Sequence, residues 1–449
     1  MSDGAKGADR PVRVVGGGIS GLSAALLLAR AGRSVTLWEG NKQLGGLLEP
    51  VSFANVECDR GSHRIHPESH PLLRELTDSE DWQSRPRRGR LILNGQHLHY
   101  PPNPLGFVRG LGVRASAEMI GGFATRPGAL RAFKSWESDR SQVPDEDVGF
   151  ENFILRRVGK GAYERFYKPY VTKVWGLPPS QISQTVAKQR ISTSKPMETF
   201  RRAISREKVD RRFLYPRAGM AGLVRSLRDS AIQAGVGIEE GQRFDVSSDH
   251  GADHDLVFTG RLRDLVQDAE LKHRGLYLVF LALPKGQLAE VDTWYAPESR
   301  YWFGRISQPA QFSSALGHPD HDVICIEIPE GRWGPEKDFL QEIPAVLAQL
   351  NDAGILPDGC TPTDQAQRYV QDVYPMYTRG WFHEWRRVLD KVALMQNVWP
   401  LGRQGLFLHC NMDHCVNMAD QMVQEMTQGQ TAEDWIRQAS RYLDLRVRD

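Results

Sequence analysis

Gly16, Gly18 and Gly21 stand at G-x-G-x-x-G spacing in "VVGGGISGL", and Glu39 follows 18 residues after Gly21. In that pattern the first glycine allows a tight turn. The second lets a pyrophosphate approach the backbone, and the third lets a helix pack closely on a strand. The helix start offers free N–H groups and the positive end of its dipole to phosphate oxygens. Glu39 can accept hydrogen bonds from an adenosine ribose. The plain alternative is a structural glycine turn. Two other stretches concentrate reactive side chains. "HCNMDHCVNM" (409–418) crowds two cysteines, two histidines, two asparagines and an aspartate together, and "CDRGSHRIHP" (58–67) carries Gly61, His63 and His66. Density of this kind suggests a metal. However, Cys410 and Cys415 are five apart, whereas structural zinc favours pairs at gaps of roughly two to four residues with a matching second pair. No metal ligand is therefore expected.

Elements to position these residues are legible around them. Val12, Val14 and Val15 read as a short buried parallel strand. "LSAALLLARAG" reads as a helix closed by Gly32, and "SVTLWE" (34–39) as a second strand ending at the acid. "FLYPRAGMAGLVRSLRDSAIQAGVGIEEGQRF" (213–244) reads as strand, glycine turn, amphipathic helix and strand, and "DHDLVFTG" (253–260) as a further strand. Alternation around Asn94-Gly95 in "RLILNGQHLHYPPNPL" (90–105) signals a hairpin. Residues 115–200 read mostly as helix. "GLYLVFLALP" (275–284), "YWFGRISQPAQF" (301–312) and "HDVICIEIP" (321–329) suggest a largely antiparallel sheet.

The totals set bounds. With 449 residues, 40% hydrophobic and 25% charged, the chain can build two or three domains. A net charge of +2 and a pI near 8.2 give no global argument for nucleic acid. The basic runs 85–90 and 201–212 read as solvated faces, or else as sites for an anion. Five cysteines, at 58, 325, 360, 410 and 415, do not make a disulfide framework. The polar start "MSDGAKGADR" lacks a signal-peptide core, and no apolar run reaches about 18 residues. These features predict a soluble, cytoplasmic protein without a transmembrane segment.

The extended pattern resembles a known family. Gly45 and Gly46 in "NKQLGG" follow Glu39 as in the FAD-binding signature of the amine oxidase and protoporphyrinogen oxidase-like superfamily. The G-x-H-x-x-H loop is similar to that of the UDP-galactopyranose mutases, where the first histidine lies near the flavin ring. "FYKPYVTKVWGLPPSQISQTVAKQRI" (166–191) resembles a shared Trp-Gly segment bordering the substrate cleft, with Lys173, Trp175, Gly176 and Arg190 as its matches. "VYPMYTRGWFHEW" (373–385) is similar to a segment whose tyrosines contact a substrate diphosphate in mutases. Arg305 falls where these relatives often carry an arginine, but the following "ISQPAQF" departs from the charged mutase pattern. "PLGRQGLFLHCNMDHC" resembles the last FAD-binding element, with "GLFLHC" as a strand and a helix capped by Asn411 or Asp413. There a helix dipole would stabilise negative charge building on a reduced flavin.

The resemblance implies an α/β fold. A Rossmann-like, glutathione reductase-type FAD-binding domain (1–90, 213–268, 395–449) would be interleaved with a mixed-sheet substrate domain (91–114, 269–394) and a helical subdomain (115–212). FAD would be held by Gly16, Gly18, Ile19, Ser20, Gly21, Glu39, Gly45, Gly46, Leu47, Gly61, Ser62, His63, Phe244, Gly402, Arg403, Asn411, Met412 and Asp413. His63, Arg190, Arg305, Tyr374 and Tyr377 would line the catalytic cleft. The leading expectation is an FAD-dependent oxidoreductase that takes hydride from a small-molecule substrate. Its arginines would favour an anionic or phosphorylated substrate. O2 or NAD(P)H would be the electron partner, and a homodimer is expected. Two alternatives stay open: a reduced-flavin sugar-nucleotide mutase without net redox, and a non-catalytic FAD-binding partner protein. His63, His409, Cys410 and Cys415 are the candidates should the flavin be covalent.

Overall fold

The computed structural model describes residues 10–67, 71–78, 80–100, 110, 112, 147–190, 212–247 and 253–445. Much of the expected helical subdomain, at 115–146 and 191–211, lies outside them, as does most of the basic run 201–212. The described part of the subdomain is helical, with helices at Phe150–Ala162, Lys168–Trp175 and Gln184–Arg190.

Two sheets organise the molecule. The first has five parallel strands, in the order Val398–Pro400, Asp255–Phe258, Val12–Val15, Val35–Glu39 and Gly237–Glu240. The central strands are apolar throughout because both faces are covered, as a parallel sheet requires. Helix Ile19–Arg30 crosses between the first two strands of the chain. Gly16 turns into it with φ +101°, and a Cβ on Gly21 would stand only 1.9 Å from the Gly16 carbonyl oxygen. The helix start therefore lies directly on the strand end. The strands come from widely separated stretches of chain, which is the interleaving we propose for the domains.

The second sheet has seven strands, in the order Asp364–Pro375, His273–Pro284, His321–Pro329, Arg305–Ser307, Thr293–Tyr295, Arg90–Leu93 and Gln96–His99. All neighbours are antiparallel except Thr293–Tyr295 beside Arg90–Leu93. The Asn94-Gly95 turn joins the last two strands as expected. Strand His273–Pro284 is buried on both faces, and its alternation divides two cores. Leu276, Leu278 and Phe280 join the core shared with the parallel sheet. Tyr277, Val279 and Leu281 join a separate core under helix Ile343–Asp352. In His321–Pro329, Cys325 faces the first core and Ile324, Ile326 and Ile328 the second. Glu327 shares the parity of Cys325 and so points toward the first.

One local expectation is corrected. "GLFLHC" is not a strand; the last parallel strand is Val398–Pro400, and Gly402–Gly405 is a short helix. Phe407 takes φ +54°, which breaks extension, and side chains claim the carbonyls a strand would have paired. Trp385 Nε1 donates to Leu406 and the Tyr377 hydroxyl to Phe407, both at 2.9 Å. Strand Arg212–Pro216, expected at the start of the 213–244 segment, forms outside the five-stranded sheet. It pairs antiparallel with Trp82–Pro86, a strand that the basic sequence "RPRRGR" concealed.

Gly21→Ala tests the close approach of helix and strand. With a backbone oxygen in the path of the methyl, we expect a loss of about 3 kcal/mol or more in urea unfolding.

Candidate active site

The C-terminal ends of the parallel strands build a cradle from backbone. Gly17 N–H donates to Glu39 Oε2 at 2.7 Å, and Asn41 N–H donates to Oε1 at 2.8 Å. The acid is thus locked at its strand end. Gly45 N–H donates to the Gly17 carbonyl at 2.8 Å, and Gly18 and Gly45 pair as an isolated parallel bridge. A Cβ on Gly46 would come within 3.3 Å of Gly18 Cα, so a side chain there would crowd the other wall. Leu47 continues the turn Gly46–Leu48, and Phe244 packs its ring 5.7 Å from that of Phe258 on the parallel sheet. Arg60, which the sequence reading missed, donates to the Gly46 carbonyl at 3.3 Å and pairs with Glu49 at 2.7 Å.

The last element closes the cradle from below. A Cβ on Gly402 would meet Ser20 Oγ at 2.1 Å, so this turn sits on the first turn of the nucleotide helix. Arg403 donates from Nε to the Val373 carbonyl and from Nη1 to the Cys410 carbonyl, each at 3.1 Å, while its buried Nη2 has no hydrogen-bond partner. Helix Met412–Thr427 starts at Asn411, which forms a reciprocal cap with His414. Asp413 is buried in the first turn. Strand-end N–H groups, a locked acid, paired glycines and an unused guanidinium nitrogen together fit a dinucleotide.

Beside the cradle, the loop after Cys58 is held at several points. Asp59 accepts from the Tyr215 hydroxyl at 2.6 Å and from Met220 N–H at 3.2 Å. Arg64 donates to Asp292 Oδ1 at 2.7 Å and to the Tyr295 hydroxyl at 3.2 Å, with its guanidinium over Phe213 and Phe312. Between them, Ser62 N–H donates to Glu327 Oε1 at 3.0 Å. A Cβ on Gly61 would stand 2.8 Å from that same oxygen. Glu327 is also the direct cross-strand partner of Arg305, which binds it twice, at 2.7 and 2.6 Å. Sequence reasoning missed Glu327. The available signal was a lone acid inside the apolar run "VICIEIP".

His63 sits in this loop, its Nδ1 3.9 Å from Asp59 Oδ2 and without a hydrogen bond. Burial, then Arg305, Arg403 and Arg64, push its imidazole down to about 3. It is therefore neutral at physiological pH, and its contact with Asp59 is not an ion pair. Burial pushes Asp59 up to about 6, against the hydrogen bonds from Tyr215 and Met220.

An aromatic wall faces the C-terminal element. Trp175 lies edge-on to His409 and Tyr374, with ring centroids at 5.3 and 6.0 Å, and Arg403 lies 5.4 Å over the Tyr374 ring. Tyr377 is less accessible than expected. It is buried, stacks on Trp381 at 3.7 Å, donates its hydroxyl to Phe407 and accepts from His409 N–H at 3.3 Å. That geometry is a packing role. Lys173 Nζ donates to the Ala296 and Phe303 carbonyls, at 2.7 and 3.0 Å, and burial lowers it to about 7. Arg190 ends helix Gln184–Arg190, but its side chain lies outside the described structure. His66 follows the Ile65 bridge to Leu214. Among the described residues no group of three or more His, Cys, Asp or Glu could hold a metal, and all five cysteines are free. No described helix is long and apolar enough to cross a membrane.

Comparison with known proteins accords with this geometry. Residues 19–245 match the family of flavin containing amine oxidoreductases. Over 188 residues the chain is 27% identical to a probable UDP-galactopyranose mutase of Klebsiella pneumoniae, covering 40% of this chain and 45% of that one. It is 25% identical over 181 residues to protoporphyrinogen oxidase 2 of Arabidopsis thaliana, covering 38% of this chain and 34% of that one. The matched stretch thus spans less than half the length of either relative. The fold superimposes on a crystal structure of reduced UDP-galactopyranose mutase with a TM-score of 0.77 at 16% identity, covering 97% and 99% of the two chains.

Two outcomes test the site. Glu327→Gln leaves Arg305 without its counter-charge in a largely buried position. Removing one partner of such a pair should cost about 3 kcal/mol in urea unfolding. The second concerns pH. Between its folded value of about 3 and its unfolded value, His63 binds a proton only in the unfolded chain. Its stabilisation is therefore complete above about pH 6.5 and lost progressively below it. Wild type should lose stability relative to His63→Gln as pH falls below that point, and NMR should show the imidazole still neutral at about pH 5.

Proposed function

We propose that this chain, which belongs to the family of flavin containing amine oxidoreductases, is an FAD-dependent oxidoreductase acting on a small anionic substrate. The cofactor is FAD, and when bound it supplies a two-electron acceptor for hydride leaving a substrate C–H bond. The observation carrying the substrate class is the charge balance of the cleft. Arg64 and Arg305 each have a carboxylate partner, Asp292 and Glu327. Arg403 and Lys173 hydrogen-bond only to backbone carbonyls in the described structure. Arg403 keeps a charge that no carboxylate cancels, which favours an anionic group beside it, whereas burial leaves Lys173 only partly protonated near neutral pH.

The chain's own residues then have separable tasks. Glu39 and the glycine turns hold the nucleotide. Arg403 meets negative charge at the floor, and Trp175 with Tyr374 shapes the wall. His63 has too little proton affinity to serve as a general base at neutral pH. It orients substrate as a neutral hydrogen-bonding group. Arg190 and the hydroxyl of Tyr374 remain proposed cleft groups, and O2 or NAD(P)H is the proposed electron partner.

The Klebsiella relative supports a second reading, a sugar-nucleotide mutase that needs reduced cofactor but shows no net redox change. Electron accounting separates the two. In anaerobic turnover with a panel of small anionic donors, the oxidoreductase bleaches the flavin bands and consumes acceptor one-for-one with product. A requirement for reductant with sub-stoichiometric consumption would establish the mutase instead. A flavin that no donor reduces and no acceptor reoxidises would leave only a binding protein.

A further inference from the structure

Cys410 and Cys415 are not used by the function proposed above. They flank the cap of helix Met412–Thr427, Cys410 just before Asn411 and Cys415 within the first turn. Both are buried, and their sulfurs stand 3.6 Å apart in a thiol–thiol hydrogen bond. The other three cysteines are set apart from this arrangement. Burial pushes the Cys58 thiol up to about 12 and raises those of Cys325 and Cys360. Cys415 alone is held below its ordinary value, first by the Cys410 thiol donating to it, then by Ser20 and Arg403 against the effect of burial. The thiolate is the reactive form of cysteine, and a neighbouring cation with a helix N-terminus favours it.

We propose that Cys410 and Cys415 form a peroxide-oxidisable dithiol that closes reversibly to an intrachain disulfide. The geometry supplies both partners of the reaction. The Cys415 sulfur attacks one oxygen of a hydroperoxide and the O–O bond breaks. The departing oxygen leaves as water, or as an alcohol, with the proton the thiol gave up. The Cys410 sulfur then attacks the Cys415 sulfur of the sulfenic acid. The S–O bond breaks, and the hydroxyl leaves as water with the Cys410 proton. The two sulfurs lose two electrons, and the peroxide oxygens gain them. With a resolving thiol already in contact, oxidation stops at the disulfide rather than climbing to sulfinic acid. Closing from 3.6 Å to a bond of about 2.05 Å must draw together the two sides of the helix cap. That cap carries Asn411, and the Cys410 carbonyl is one of the two that anchor Arg403. The disulfide therefore strains the floor of the flavin cradle.

If O2 accepts the electrons in the proposed reaction, peroxide arises in the same protein. The test supplies hydrogen peroxide from outside, so its result does not depend on that reading. Purified holoprotein is treated with hydrogen peroxide, quenched by alkylation under denaturing conditions, and digested for mass spectrometry. The expected result is loss of two alkylatable thiols of the five, recovered as one Cys410–Cys415 cross-link and restored by dithiothreitol. A bulky disulfide reagent should instead modify the more exposed Cys360 first. In Cys410→Ser, a dimedone adduct should appear at Cys415; in Cys415→Ser, Cys410 should give little. Both thiols remaining alkylatable while Cys360 is oxidised would overturn the proposal, as would sulfinic acid without a cross-link in the wild type.

Discussion

One buried carboxylate joins the two halves of this molecule. Glu327 stands on the second sheet and accepts two bonds from Arg305 on the neighbouring strand. The same side chain reaches the Ser62 N–H in the loop beside the nucleotide cradle, and Gly61 leaves room for it. A charge in that position is costly unless every lone pair is engaged. Guanidinium on one side and loop backbone on the other engage it, so the substrate sheet and the cofactor loop are held in one register. The position of His63, two residues after Gly61, follows from that constraint.

The electrostatics of the site follow from the same arrangement. Glu327 and Asp292 neutralise Arg305 and Arg64, yet the field at His63 remains positive enough, with burial, to keep its imidazole unprotonated. Burial is the first cause, followed by the charges of Arg305, Arg403 and Arg64; of these, Arg403 has only carbonyl partners, which orient it without cancelling its charge. His63 itself therefore offers little proton affinity, while Asp59 at about 6 and Lys173 at about 7 lie closer to neutrality.

The C-terminal floor shows how much can depend on one short turn. Gly402 rests against Ser20 and Arg403 reaches back to Cys410. Asn411 caps the long helix, and Tyr377 and Trp385 hold the intervening carbonyls. The dense "HCNMDHC" stretch is thus a helix start packed beneath a cofactor site. Its histidines take structural contacts: His409 lies against Trp175 and Tyr377, and His414 closes the cap. These imidazoles are turned to separate partners, and among the described residues no group of three or more His, Cys, Asp or Glu comes together there.

The nucleotide cradle was legible in the sequence because its determinants are local. Strand, glycine turn, helix and acid lie within residues 12–46, and backbone conformation at those glycines depends on little else. The strong alternating strands of the second sheet were legible for the same reason. Side-chain partnership was not. Glu327 meets Ser62 across 265 positions, and only strand register decides that it faces Cys325's core rather than the opposite one. Tyr377 looked like a cleft tyrosine until the carbonyl of Phe407 claimed its hydroxyl, and "GLFLHC" looked like a strand until a positive φ at Phe407 broke it. Local propensity carries the sequence's information about turns and helix starts. Contacts between distant residues depend on how sheets pair and pack, and only the tertiary structure decides that.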